Sequence, residues 1–187
     1  MITSAHEALP TYQFAEHHHR VLNADREAGW RAIHETRWGD VRWTAPFFVV
    51  RGLGAMVRGG SSDSPRIVEK GPVARLWGEA PRYLAMGSIM RPYALRQTEP
   101  DPEVSSLEEL ATFDRPGWVK VAMDFRLTDL GDGRTRLDTS TLCQATDRTT
   151  DSRFGRYWRV IRPFSGLIRV EILAAIANRA EQQSATA

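Results

Sequence analysis

Hydrophobic positions alternate with a period of two along much of residues 72–146 and recur every three or four residues along 153–182, so the pattern predicts a set of strands followed by one long helix. In WVKVAMDFRLTDL, Val119, Val121, Met123, Phe125 and Leu127 fall on one face, while Lys120, Asp124 and Arg126 fall on the other. Such alternation describes an antiparallel strand with one face on a core, and it puts those three charges on the solvent side. RTRLDTSTLCQA follows, with Leu137, Thr139, Thr141, Cys143 and Ala145 on one face. Between the two stands Gly131-Asp132-Gly133, the clearest hairpin signal in the chain.

Upstream, PVARLWGE and RYLAMGSIM flank Ala80-Pro81, a turn signal. A polar connection, EPDPEVSS, and the segment ELATF lead to a second turn, Asp114-Arg115-Pro116-Gly117. Nearer the start, residues 11–22 read as a strand, and 25–36 read as a helix opened by Asn23-Ala24-Asp25, whose side chains can accept from free N–H groups. A second short helix is expected over 44–57, and residues 59–65 break the periodicity as a loop. At the other end, Phe154, Tyr157, Trp158, Ile161, Phe164, Ile168, Ile172 and Ile176 form an apolar stripe. Pro163 lacks an N–H and clashes with the preceding turn, so a kink or break is expected near Arg162.

The expected architecture is α+β: a curved antiparallel sheet wrapped around the C-terminal helix, with two short helices after the first strand. One domain over 10–182 accounts for the pattern, with 1–9 and 183–187 as flexible termini. Cys143 is the sole cysteine, which excludes an intrachain disulfide and fits a reducing cytoplasm. Met1–Pro10 lacks the basic and apolar regions of a secretory signal, and no apolar run is long enough to span a bilayer. Formal net charge is +2, with arginines dispersed among acids, so the concentrated basic stripe of a nucleic-acid binder is missing. Lys70 and Lys120 are the only lysines, a bias that points to GC-rich bacterial coding. Arg153, Arg156, Arg159 and Arg162 stand at i, i+3 spacing and read as a solvated helix face.

Candidate chemistry is sparse. On a strand, His17 and His19 point the same way, roughly 7 Å apart from about 3.3 Å of rise per residue. Two imidazoles so placed can share a metal with Glu16 or His34, but no HExxH or Cys/His spacing supports a metal site. Cys143 on an apolar face reads as a small hydrophobe, no GxSxG occurs, and the glycines at 52–60 do not make a dinucleotide motif, so no cofactor is expected. The side chains expected to converge between sheet and helix are Trp77, Met86, Met90, Tyr93, Met123, Phe125, Tyr157, Trp158 and Ile161. They form either a plain core or a cavity in which Thr139, Thr141, Tyr157, Ser165 and His19 orient a ligand.

The phrases RLWGEAPRYLAMGSIM, DRPGWVKVAMDFRLTD and TSTLCQATDRTTDSRFGRYWRVIRPFSGLIRVEILAAI resemble the SRPBCC or START-like superfamily, also called the helix-grip fold, and the last resembles a bacterial subgroup of it. Known members include the birch-pollen allergen, plant hormone receptors, lipid-transfer domains and polyketide cyclases/aromatases. Relatives often read Thr-Glu-Thr-Arg in the last strand. Here it reads Thr139-Ser140-Thr141-Leu142, so a role needing that glutamate is absent. The resemblance implies non-covalent binding of a small, mostly apolar molecule between sheet and helix, entered near the 57–71 loop and Pro163. It also admits a cyclase/aromatase acting on a polyketide-like substrate. A structural module with a filled interior is the third reading, and exposed apolar surface on the 44–57 helix would then point to a homodimer.

Overall fold

The computed structural model describes residues 1–41, 64–94 and 99–185. The expected 44–57 helix and most of the 59–65 loop lie outside them. Among the described residues five strands form one antiparallel sheet: β1 (Phe14–Leu22), β2 (Ala74–Glu79), β3 (Tyr83–Met90), β4 (Val119–Gly131) and β5 (Arg134–Ala145). Their order is β1-β5-β4-β3-β2. The β4–β5 hairpin closes through Asp132 and Gly133, whose φ values of 54° and 70° suit a tight two-residue turn that matches strand twist. The sheet curves around α4 (Arg148–Ala185), which packs along β1 and β5. This is the helix-grip arrangement the alternation and the terminal stripe predict.

The helix start lies five residues before the expected one because Asp147 caps it. Its carboxylate accepts from Thr150 N at 2.9 Å, Thr150 Oγ1 at 2.6 Å and Gly117 N at 2.7 Å. The Thr150 hydroxyl and these backbone amides hold its pKa down at about 2. A depressed carboxylate stabilises the fold above its unfolded value near ~4, and that stabilisation disappears as pH falls from about 4 to 2. Asp147→Ala is therefore expected to cost about 1–2 kcal/mol at pH 7 and clearly less at pH 2, read from denaturant midpoints. An equal loss at both pH values would reject this account of the cap.

Contrary to the expected break, α4 runs through Pro163 without interruption. Trp158 and Ile161 before it, and Ile168 and Ile172 after it, all pack on the core, and this packing outweighs one lost backbone bond. Phe164 leaves the expected stripe and is 51% exposed. At 100° per residue it lies roughly 75° round the helix from the centre of that stripe.

The face of the sheet away from α4 is covered as well. α1 (Ala5–Ala8) and α3 (Leu107–Thr112) lie on it. Ala5, Leu9, Leu110, Trp118, Ala122 and Leu142 form a second core there. Ala5, Ala8 and Leu9 of the N-terminal segment are buried, whereas Met1 is 98% exposed. One expectation changes as a result. Lys120 and Asp124 are buried too, at 7% and 3% exposure, and only Arg126 of the three charges reaches solvent. Lys120 Nζ donates to Ala111 O at 3.0 Å, and burial lowers its pKa. Asp124 accepts from Tyr83 Oη at 2.9 Å and from Ser140 N at 2.8 Å. Gly87 lets α3 approach: a Cβ there would sit 2.8 Å from Leu110 Cδ2 and from Leu76 Cδ1.

At the other end, α2 (Arg26–Glu35), capped by Asp25 through Ala28 N at 2.7 Å, packs on the last turns of α4. Gln183 Nε2 donates to Glu35 Oε2 at 2.6 Å, so the helix remains tied down beyond residue 182.

Candidate functional site

Between the concave face of β4–β5 and α4, the described residues surround a space of about 560 Å³. Strand alternation sends Val121, Met123, Thr141 and Cys143 into it. The helical repeat sends Phe154, Tyr157, Trp158, Ile161, Ser165, Ile168, Arg169 and Ile172. Trp38, Ile67, Pro72, Val73, the segment from Met90 to Pro92, Ala94 and Asp101 complete the described wall. Phe154 stacks edge-on against Phe14 at 5.0 Å between ring centres and lies 5.6 Å from Trp158, so the aromatic side of the wall is a continuous ring cluster.

Of the side chains expected to converge, Met90, Met123, Thr141, Tyr157, Trp158, Ile161 and Ser165 meet at this space. Met86, Phe125 and Thr139 share the concave face but lie packed in solid core beside it. The Thr139 hydroxyl donates to Asp124 O at 2.7 Å. Tyr93 packs at the rim, with its hydroxyl donating to Gly117 O at 2.9 Å, and together with Arg153, Arg156 and Tyr157 it lines a smaller recess. Two expected residues are elsewhere. A β-bulge between Arg75 and Trp77 shifts the pairing, and Trp77 packs under α1 and α3 on the convex face. His19 pairs with Asp138 and is exposed. His18, its neighbour, is the histidine opposite Thr139 and near Gly166 of α4. His17 is exposed and lies 3.1 Å from Ser140 Oγ through Nδ1. Among the described residues no three His, Cys, Asp or Glu side chains come together.

The polar content of the cavity differs from the expected set. Arg169 reaches into it from α4 and donates to the sulfur of Met123. Burial lowers the Arg169 pKa to about 10, against the opposing pull of Glu16, so the guanidinium stays charged at neutral pH. Glu16, on β1 opposite Thr141, is buried; Oε1 lies 3.9 Å from Arg162 Nε, and Oε2 has no hydrogen-bond partner. The Thr141 hydroxyl is likewise buried without a partner. Burial pushes the Cys143 thiol up to about 12, so it is neutral at physiological pH and no thiolate nucleophile.

One signal for Arg169 was present in the chain. It stands four residues after Ser165 and three before Ile172, inside the apolar stripe, and a charge on a buried helix face needs a reason. Glu16 carried no such mark, because the sequence does not say which strand lies beside β1.

The sequence matches no protein-family model and no curated protein. Among solved structures, the chain is similar to a conserved protein from Geobacillus kaustophilus at 10% identity, covering 90% of this chain and 96% of that one with a TM-score of 0.47. It is also similar to the Zhui aromatase/cyclase from Streptomyces sp. R1128, at 13% identity over 91% of this chain and 94% of that one, TM-score 0.37. A third likeness is to CalU16 from Micromonospora echinospora, at 16% identity over 91% and 86% of the two chains, TM-score 0.32. At such distances these likenesses assign no residue of this chain a role.

Proposed function

We propose that this chain is a START-like domain that binds one small, mostly apolar molecule, non-covalently, between sheet and helix. The observation that carries this reading is the cavity itself. Its volume of about 560 Å³ lies within the range of ~300–1,000 Å³ common to small-molecule sites. Its wall is mostly aliphatic and aromatic, so burial of apolar ligand surface at ~25 cal/mol per Å² supplies most of the affinity. Catalysis of the cyclase/aromatase kind needs acid and base groups within hydrogen-bond reach of a substrate. The neutral Cys143 thiol and the predominance of aliphatic and aromatic side chains favour binding over chemistry.

Native mass spectrometry of freshly purified protein, with titration of the neutral fluorophore N-phenyl-1-naphthylamine, tests the proposal. A reproducible apolar adduct, or saturable one-site binding of the fluorophore, is the expected result. A protein that carries no adduct and leaves the fluorophore dark overturns it. Val121→Phe, at the cavity wall, is expected to weaken fluorophore binding at least tenfold while changing stability by less than about 1 kcal/mol. In a solid interior the added bulk costs roughly 1–3 kcal/mol instead.

A further inference from the structure

We infer that the ligand of this cavity is an amphipathic organic anion, an apolar body ending in one carboxylate, and that Arg169 takes the carboxylate. The inference rests on the binding function proposed above and names the class of molecule that fits it. The guanidinium carries five N–H donors in a planar fork. Its described hydrogen bond goes to a thioether, a weak acceptor, and it makes no ion pair with a described carboxylate. It borders the cavity from inside the apolar stripe, between Ile168 and Ile172. A half-buried cation at the wall of a mostly apolar space is costly unless an anion or several acceptors meet it there.

Two neighbours specify the sign and the shape of that partner. Glu16 acts on Arg169 electrostatically, yet it does not line the cavity, and its carboxylate lies beside Arg162. Asp124 acts on Arg169 in the same way and does not line the cavity either, and neither carboxylate forms an ion pair with it, so the guanidinium is left for an anion that enters the cavity. Thr141 lines the same wall and has a buried hydroxyl with no acceptor, so it can donate to the second carboxylate oxygen. A planar carboxylate accepts two parallel N–H bonds from the guanidinium, which an alcohol cannot do. Most of the remaining wall is apolar or aromatic and suits a hydrocarbon body, with Arg91, Asp101 and Ser165 as its other polar members.

Displacement of N-phenyl-1-naphthylamine by decanoic acid and by decanol at pH 7.5 tests this, because the two competitors share a chain and differ in the head group. Wild-type protein is expected to prefer decanoate by about tenfold, equivalent to ~1.4 kcal/mol. Arg169→Met should reverse the preference, read as the ratio of the two displacement constants so that any change in fluorophore affinity cancels, and Arg169→Lys, which keeps the charge without the fork, should fall between. Equal displacement by the two competitors in the wild type, or a decanoate preference unchanged in Arg169→Met, overturns the anion assignment and leaves the apolar binding function standing. A wild-type protein that fails to bind the fluorophore overturns both. Should Arg169→Met not fold, the wild-type preference and the Arg169→Lys variant still decide the matter.

Discussion

Phe125→Ala is expected to lower stability by about 3–5 kcal/mol, the largest single effect foreseen here. Phe125 is 1% exposed and sits on β4 between Leu84 of β3 and Thr139 of β5. Its ring belongs to the concave core where α2 and α4 meet the sheet, next to the cavity but not on its wall. Truncation loses the transfer free energy of the ring and leaves a void that the strands cannot close, since both are held by ladder bonds on either side. With total stability in the range of ~5–15 kcal/mol, such a loss brings a domain close to unfolding. Guanidinium titration should show a lower midpoint at unchanged slope. A loss under 1 kcal/mol would mean that the core repacks freely around the site, contrary to the tight packing described.

Tyr83→Phe is expected to cost about 2–4 kcal/mol, because one hydroxyl there joins two layers. Tyr83 Oη accepts from Ala5 N at 2.9 Å and donates to Asp124 Oδ2 at 2.9 Å. All three groups are buried under α1. Removing the oxygen keeps the ring volume, so the loss isolates the hydrogen bonds. It leaves a buried amide without an acceptor and a buried carboxylate with one donor fewer. The phenol already resists ionisation: burial, and then the Asp124 charge, raise its pKa well above the ordinary value. A raised folded pKa stabilises the protein below the unfolded value of about 10, and that stabilisation declines as pH rises above it. The wild type should therefore lose stability above about pH 10 in excess of the Tyr83→Phe variant. Hydrogen exchange at the Ala5 amide gives a second readout, with faster exchange expected in the variant. Unchanged exchange, with a stability loss under about 0.5 kcal/mol, would show that the hydroxyl does not hold the N-terminal layer in place.

Strand alternation from Val119 to Leu127 and from Leu137 to Ala145 identified the faces that meet α4, because a half-buried strand must send every second residue to the core. The Gly131-Asp132-Gly133 turn and the Asp25 cap were legible for equally local reasons. Ser4 accepts from Glu7 N at 3.2 Å and Ser106 from Glu109 N at 3.1 Å, and both Ser-x-x-Glu spacings are local marks of the short helices α1 and α3. Where those helices pack, over Lys120 and Asp124, is no local property.

The amino-acid sequence by itself determined the period of each segment, the hairpin, the caps and the apolar stripe that faces the sheet. These depend on contacts within a few residues, where backbone geometry leaves few choices. Tertiary structure alone decided what lies opposite each face. It put α1 over Asp124, sent Trp77 and His19 away from the cavity, and kept α4 continuous through Pro163. It also brought Glu16, Thr141 and Arg169, 153 residues apart at the extremes, to one place beside an apolar space. Partners so far apart in the chain meet only through the strand order and the pairing register, and no local pattern encodes either.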